Sequence, residues 1–196
     1  MYFEQKTERL ILQPFREEFL EAYFREFTEE VTRYQYPDVF PSLEAANEVL
    51  SGFVQEMEQG NMLELVVLAQ NGEFLGSMEV FGIREKTPEI GLWLKSSAQG
   101  KGYGYEALRE MLDYLGQTQK YEYIIYEADL RNKPSIRLAE KFHYEKGENE
   151  RLTTDSGKEL TMQIYRLFPS PAGKSGMKEE NFNCIERTKH DANPLY

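Results

Sequence analysis

Apolar residues recur along the chain with two periods, and the change from one to the other predicts its secondary structure. A spacing of three and four residues predicts helices in 16–27, 41–59, 107–115 and 134–142. Apolar runs predict strands in 8–15, 62–70, 73–83, 88–95, 121–130 and 159–168, with a shorter strand near 143–149. Asn71-Gly72 lies between two of these runs and predicts a β-hairpin. Ser42 is the predicted N-cap of the second helix.

The order of these elements predicts the fold class. Hairpin strands come first, and strand–helix–strand crossovers follow them. We therefore expect an α+β (mixed α/β) protein whose sheet is mostly antiparallel and partly parallel, with helices on its faces. Residues 1–168 form one predicted domain. From Pro169 onward the chain is rich in Pro, Gly, Ser and charged residues, so 169–196 is predicted to be a tail, either disordered or docked on a partner chain.

Composition and charge narrow the functional classes. The 196 residues include 34 acidic and 23 basic ones, a net charge of -11. That charge argues against a broad nucleic-acid-binding face and is compatible with a cationic substrate, although a solvated acidic surface is the simpler explanation of most of it. The start of the chain has no signal-peptide pattern and no segment is apolar enough to span a membrane, which favours a cytoplasmic protein. A single cysteine, Cys184, excludes an intramolecular disulfide framework, and no metal site is expected.

A glycine-rich junction, QGKGYG at 99–104, lies between a predicted strand and a predicted helix. No Lys-Ser or Lys-Thr pair follows the glycines at the spacing of a P-loop, and the glycine spacing does not match a dinucleotide-binding fingerprint. Bare backbone N–H groups at a helix N-terminus do form an anion site, and a pyrophosphate would fit there. Gln99 and Lys101 can add donors at the rim. The alternative is a merely flexible loop.

At this junction the sequence resembles the GNAT superfamily of acyl-CoA-dependent N-acyltransferases. The pattern Q-x-x-G-x-G at 99–104 is similar to that family's signature, and TERLILQPF and ADLRNKPSIRLAEKFHYEKGE resemble two further blocks of its ribosomal-protein (Rim-type) branch. The resemblance spans roughly residues 7–168. His143-Tyr144 stands where the family usually has Gly-Phe, which leaves the path of the chain after that helix open.

The resemblance implies a sheet with a splayed parallel strand pair and acetyl-CoA as the acyl donor. Main-chain groups of Leu92, Trp93 and Leu94 would pair with pantetheine. The pyrophosphate would lie on Gln99, Gly100, Lys101, Gly102, Tyr103 and Gly104. Asn132 and Ser135 would face the thioester end of the donor. Asn132 has a simpler alternative role as a helix N-cap.

Acetyl transfer to an amine requires a proton acceptor for the amine and a proton donor for the leaving thiolate. Ser135 is the first candidate for the donor and Tyr144 the second. Glu79 is the first candidate for the base and Glu89 the second, with a water relay as an alternative to both. A backbone amide near Leu94 would stabilise the carbonyl oxygen. Acceptor contacts are expected from Tyr34, Tyr36, Asp38 and Glu79.

The expected activity is transfer of an acetyl group from acetyl-CoA to a primary amine by direct attack in a ternary complex. The acceptor could be the N-terminus of a protein such as a ribosomal protein, or a small amine such as an aminoglycoside. A catalytically silent acyl-CoA-binding module, serving as sensor or scaffold, is the alternative from another functional class. A second copy of the chain is an open option as a partner.

Overall fold

The centre of the computed structural model, which describes residues 3–118 and 121–169, is one eight-stranded sheet. Its strands are β1 (Gln5–Lys6), β2 (Leu10–Pro14), β3 (Leu63–Ala69), β4 (Phe74–Phe81), β5 (Glu89–Leu94), β6 (Ile124–Asp129), β7 (Tyr144–Thr153) and β8 (Glu159–Leu167). Their order across the sheet is β1-β2-β3-β4-β5-β6-β8-β7. β5 and β6 run parallel, and the other pairs are antiparallel. The predicted fold class is confirmed.

Helices cover both faces of the sheet. They are α1 (Leu20–Glu26), α2 (Glu29–Thr32), α3 (Leu43–Gln59), α4 (Tyr103–Thr118) and α5 (Lys133–Ala139). The predicted N-cap is confirmed, because the Ala45 amide donates to Ser42 Oγ at 3.2 Å. Within 3–118 and 121–169, no helix is long and apolar enough to cross a membrane.

Alternation of side chains along the strands divides the core into two layers. One layer is aromatic and joins α1 and α3 to the sheet, with Tyr23, Phe27, Phe74 and Trp93 buried at its centre. The opposite layer is aliphatic and joins α4 and α5 to the other face of the sheet. The site described below opens on the aromatic layer and on the edges of β5 and β6.

Three elements differ from the sequence prediction. The two-residue β1 and the four-residue α2 were not predicted, because both are too short to show a period. β7 reaches Thr153 rather than ending near residue 149. Most of its side chains are exposed and polar, so it lacks the alternation that marks a half-buried strand. The predicted tail, 169–196, lies outside the described residues apart from Pro169.

Candidate active site

The parallel strands β5 and β6 separate soon after they meet. Their register contains one pair, Glu89 with Ile125, supported by a hydrogen bond from the Ile125 amide to Pro88 O at 2.8 Å. On its other edge β5 stays paired with β4 as far as Leu94. The main chain of 92–94 therefore presents an open edge toward β6, with backbone groups that need partners.

The glycine-rich junction follows directly after this open edge. Gly100 and Gly102 have φ angles of +74° and +85°, a region that favours glycine. α4 begins at Tyr103, and the first hydrogen bond of its opening turn joins the Glu106 amide to Gly102 O at 3.1 Å. The preceding amides of this turn have no acceptor inside the helix. The junction thus presents N–H groups at the positive end of a 16-residue helix.

Two side chains hold this junction in place. Gln99 Nε2 donates to Leu94 O at 2.9 Å, which closes the turn between β5 and α4. Arg9 reaches over from the strand region before β2: its Nη1 donates to Lys101 O at 3.0 Å, and its guanidinium lies 4.8 Å from the centre of the Tyr103 ring. Glu106 fixes Arg9 in turn, through contacts of 2.6 Å to Nε and Nη2. Sequence reasoning missed Arg9, which is far from the junction along the chain.

A single cavity of about 1200 Å³ extends from this junction to the aromatic layer. Of the residues predicted for the site, those that line it are Tyr34, Tyr36, Asp38, Glu79, Leu92, Trp93, Leu94, Gln99, Gly100, Gly102, Gly104, Asn132 and Ser135. Glu89, the second choice for the base, lines it too. The described lining does not include Lys101, Tyr103 or Tyr144.

The donor side of the cavity contains a hydroxyl pair. Ser135 Oγ and the Tyr126 hydroxyl are 2.9 Å apart, and both residues line the cavity. Burial raises the pKa of Tyr126, although the hydrogen bond to Ser135 opposes that rise. Asn132 lines the cavity and also caps α5, since its Oδ1 accepts from the Ser135 amide at 3.2 Å. Tyr126 was not predicted.

Tyr144, the second candidate for the proton donor, lies away from this pair. Its ring packs against Tyr165 with centroids 5.6 Å apart, and Lys146 Nζ lies 5.9 Å from the ring centre. The preceding His143 serves the fold: its carbonyl accepts from the Phe168 amide at 3.0 Å, and the two rings are 5.0 Å apart. The structure therefore brings Ser135 to the cavity and leaves Tyr144 outside it.

Glu79 extends from the middle of β4 into the cavity. Its partner in the register on β5 is Gly91, where a Cβ atom would lie 2.7 Å from Glu79 Oε2. Glycine at this position leaves the space that the carboxyl group occupies. Burial raises the pKa of Glu79 to about 7, while hydrogen bonds from its own backbone amide and the Tyr23 hydroxyl act in the opposite direction. A carboxyl group that titrates near neutral pH suits a general base.

A second carboxyl group lies directly opposite Glu79. Glu64 on β3 is its register partner and is 0% exposed. Ser77 Oγ lies 2.6 Å from both Glu64 Oε1 and Leu65 O, yet a serine hydroxyl can donate to only one of them. Protonated Glu64 removes the conflict, because it donates to Ser77, which then donates to Leu65 O. Burial and the charge of Glu79 raise the pKa of Glu64 well above its usual range, in agreement with this assignment.

Glu89 is the third carboxyl group of this region. Burial raises its pKa to about 8, and the negative charges of Glu127, Glu150 and Glu79 add to the rise. Of these neighbours, Glu127 on β6 also lines the cavity. This end of the cavity is thus acidic.

The connection between α2 and α3 closes the cavity opposite the sheet. Tyr34, which lies 5.4 Å below the Arg131 guanidinium, and Tyr36 both line it. Asp38 lines it as well but is tied to the β7–β8 turn, through Lys158 Nζ at 3.0 Å and the Ser156 amide at 3.1 Å. Burial would raise the pKa of Asp38, but hydrogen bonds from Thr154, Lys158 and Ser156 outweigh it and hold the pKa well below its usual range.

The opened parallel strand pair beside a glycine-rich helix start is the arrangement that the sequence resemblance to acyl-CoA-dependent acyltransferases implied. Residues 9–145 match the family model described as "Acetyltransferase (GNAT) domain", which is more than half of the chain. The chain belongs to the GNAT acetyltransferase family. Among curated protein sequences, none is significantly similar to it.

Several solved structures share the fold. RimJ of Mycobacterium smegmatis in complex with CoA-disulfide is 20% identical over 80% of each chain, with a TM-score of 0.70. RimL, a ribosomal L7/L12 alpha-N-protein acetyltransferase, is 19% identical over 86% of this chain and 95% of its own, with a TM-score of 0.73. A GNAT-family acetyltransferase from Bacillus anthracis is 23% identical over 85% and 99%, with a TM-score of 0.70. At sequence identities this low, the structural similarity to these proteins establishes the fold alone.

Proposed function

We propose that the protein transfers an acetyl group from acetyl-CoA to a primary amine by direct attack in a ternary complex. The observation that carries this proposal is the continuous cavity, which joins the open edge of β5 and the glycine-rich junction to the carboxyl group of Glu79. A donor bound at one end and an amine bound at the other would meet inside a single space. Holding two reactants in this way supplies much of the rate enhancement of group transfer.

The donor end suits the chemistry of acetyl-CoA. Positive φ angles at Gly100 and Gly102 let consecutive N–H groups approach a pyrophosphate without side chains between them. The open edge of 92–94 offers main-chain donors and acceptors to the amide groups of pantetheine. Arg137 and Lys141, the two basic residues of the described cavity lining, both follow Asn132 in the chain and contribute positive charge.

In the proposed reaction the amine nitrogen forms a bond to the acetyl carbonyl carbon, and the carbon–sulfur bond breaks. Glu79, as the carboxylate, accepts the proton that the amine loses. Ser135 donates a proton to the leaving sulfur while the Tyr126 hydroxyl, 2.9 Å away, donates a hydrogen bond to Ser135 Oγ. Glu79 then releases its proton to solvent, and Ser135 recovers one from solvent before the next turnover. A main-chain amide near Leu94 stabilises the charge that builds on the carbonyl oxygen. We keep Glu79 ahead of Glu89 as the base because Gly91 clears the space around it.

The direct test is release of free CoA thiol from acetyl-CoA across a panel of amines, with calorimetry of CoA binding in parallel. The panel contains aliphatic amines, an aminoglycoside and peptides with free N-termini, since RimL acts on a protein α-amino group. Amine-dependent thiol release with an N-acetylated product is expected. CoA binding without turnover of any amine would contradict the proposal and favour an acyl-CoA-binding module.

A further inference from the structure

Three carboxyl side chains form a row on one face of the sheet. Glu64 and Glu79 are register partners on β3 and β4, and Glu79 is in turn the register partner of Gly91 on β5. Glu89 is two residues before Gly91, so its side chain emerges on the same face. In such a diagonal arrangement the positions of Glu79 and Glu89 are about 7–8 Å apart. Glu79 and Glu89 both line the cavity.

Among the residues that the structure describes, no cation balances this row, since no lysine or arginine there forms an ion pair with Glu79 or Glu89. The basic side chains of the described lining, Arg137 and Lys141, belong to the donor end. Charges that are shielded from solvent are normally paired, so carboxylates without a cationic partner suit a positive charge supplied from outside.

Glu64 lies at the innermost end of the row. It is fully buried directly opposite Glu79, and its Oε2 has no hydrogen-bond partner in the described part of the chain. Since protonated Glu64 carries no charge, the negative charge of the row belongs to Glu79 and Glu89, the two members that line the cavity.

Aromatic rings form the wall around the carboxyl groups. Among the rings that line the same cavity are Tyr23, Phe27, Phe40, Phe53, Phe81 and Trp93. The faces of such rings attract organic cations and also accept alkyl chains. A metal ion would require a compact set of ligands, and the described residues contain no such cluster. Carboxyl groups together with aromatic rings suit an alkylammonium chain.

We propose that the acceptor carries a second ammonium group, which Glu89 binds while the reacting amine lies at Glu79. This inference rests on the proposed function and specifies its substrate class: an aliphatic amine with two positive charges separated by a short alkyl chain, since the strand positions of Glu79 and Glu89 are about 7–8 Å apart. A free di- or polyamine has this chemistry, and so does an amino terminus that is followed by lysine.

The test compares matched acceptors. Cadaverine, an aliphatic diamine, is compared with aminopentanol, in which a hydroxyl replaces one ammonium group. A short peptide with lysine in the second position is compared with the same peptide carrying norleucine there. In one of the two comparisons, we expect kcat/KM to be at least about tenfold higher for the acceptor with two positive charges than for the acceptor with one. A close pair of opposite charges contributes a binding free energy of at least this size. The comparison with the larger ratio of kcat/KM values shows whether the acceptor is a free amine or an amino terminus followed by lysine.

The variant Glu89→Gln keeps the shape of the side chain and removes its charge. It should lower the preference for the dication to less than about threefold, because kcat/KM should fall more for the dication than for the singly charged acceptor of the same pair. Glu21→Gln, an exposed position on α1, makes the same charge change outside the cavity and should keep the preference. An equal loss for both acceptors in Glu89→Gln would assign Glu89 to the proton transfer and overturn the inference.

Calorimetry of cadaverine with the protein saturated with CoA separates this inference from the proposed function. Without an acetyl group no reaction occurs, so binding alone is measured. Binding that Glu89→Gln weakens, in a protein that acetylates no amine, would support the cation site and contradict the acetyltransferase. Acetylation of both members of each pair at equal kcat/KM would support the enzyme and contradict the cation site.

Discussion

The two ends of the cavity are built by different means. The donor end consists mainly of main chain: the open edge of 92–94 and the amides at the start of α4. The acceptor end consists of side chains from separate elements, with carboxyl groups from neighbouring strands and aromatic rings from helices and loops. A backbone-built site depends on local geometry and tolerates changes in most side chains. A side-chain-built site can change its ligand through single substitutions.

The largest effect should come from filling the main-chain site. In Gly102→Glu/Gly104→Glu, a side chain and a negative charge would enter the position proposed for the pyrophosphate, and Gly102 has a φ of +85° that glutamate rarely adopts. We expect affinity for acetyl-CoA in calorimetry to fall by at least about a thousandfold, with binding no longer measurable. Gly52→Glu, in α3, is the matched control, because a Cβ atom there would meet no atom of another element within 4 Å. Unchanged binding by the double variant would show that the junction holds no donor.

The next largest effect should come from the acceptor end and spare the donor end. Glu79→Gln removes the proposed base, so kcat should fall by about 10²–10³-fold, the usual contribution of a general base, while CoA affinity stays the same. In the unaltered protein, kcat/KM should rise as pH increases through about 7, because Glu79 must lose its proton before it can accept one. A loss of less than about threefold would favour a water relay instead.

How far each end could be predicted from the sequence follows from the same contrast. The glycines of the junction lie within five residues of one another, between a predicted strand and a predicted helix, so the sequence predicted an anion site at a helix start, which the structure identifies as that of α4. Glu79 was predicted with its direction left open, because the face on which a strand side chain emerges depends on register. The register pairs it with Gly91 and directs it into the cavity.

Glu64 and Arg9 show what sequence reasoning missed at each end. Glu64 is the one charged residue within the apolar run MLELVVLA, and a charge inside a buried strand was the signal that could have drawn attention to it. Arg9 gave no such signal, since its partners Lys101 and Glu106 lie more than 90 residues further along the chain. Contacts at that separation follow from the packing of β2 beside α4, which no local pattern encodes.

The acidic row should also make stability depend on pH. Burial raises the pKa of Glu64, Glu79 and Glu89 above the usual 4.5, to about 7 for Glu79 and about 8 for Glu89. Between 4.5 and these values the folded state binds more protons than the unfolded state, so stability is greatest below this window and falls as pH rises through it. Urea unfolding should reveal this fall between about pH 5 and pH 8.

Glu64→Gln tests the innermost member of the row. Its amide can donate to Ser77 as the protonated acid does, and it carries no charge at any pH. The fall in unfolding free energy with rising pH should therefore be smaller than in the unaltered protein, because the raised pKa of Glu64 no longer contributes to it. Glu21→Gln should keep the full slope. An equal slope in Glu64→Gln and the unaltered protein would mean that Glu64 does not hold a proton.

The smallest effect concerns the support of the main-chain site. Arg9→Met removes the hydrogen bond to Lys101 O and the contact with the Tyr103 ring, so the junction should lose part of its preorganisation. We expect affinity for acetyl-CoA to fall by about three- to tenfold, with little change in kcat, because a lost hydrogen bond of this kind is worth about 1 kcal/mol. Arg109→Met, an exposed position on α4, makes the same change of charge away from the junction.

Glu106→Gln distinguishes a supporting role of Arg9 from simple attraction between its charge and the donor phosphates. Glu106 orients the guanidinium through contacts of 2.6 Å, and its carboxylate opposes the binding of anions. If the charge of Arg9 acts directly, removing the carboxylate should strengthen acetyl-CoA binding. If Arg9 acts by holding the junction, binding should weaken, and Arg9→Lys should resemble Arg9→Met because an ammonium group cannot reproduce the fork of contacts. We expect the second result, because two donors of the Arg9 guanidinium are already engaged within the protein. Nε donates to Glu106 Oε2, and Nη1 donates to Lys101 O.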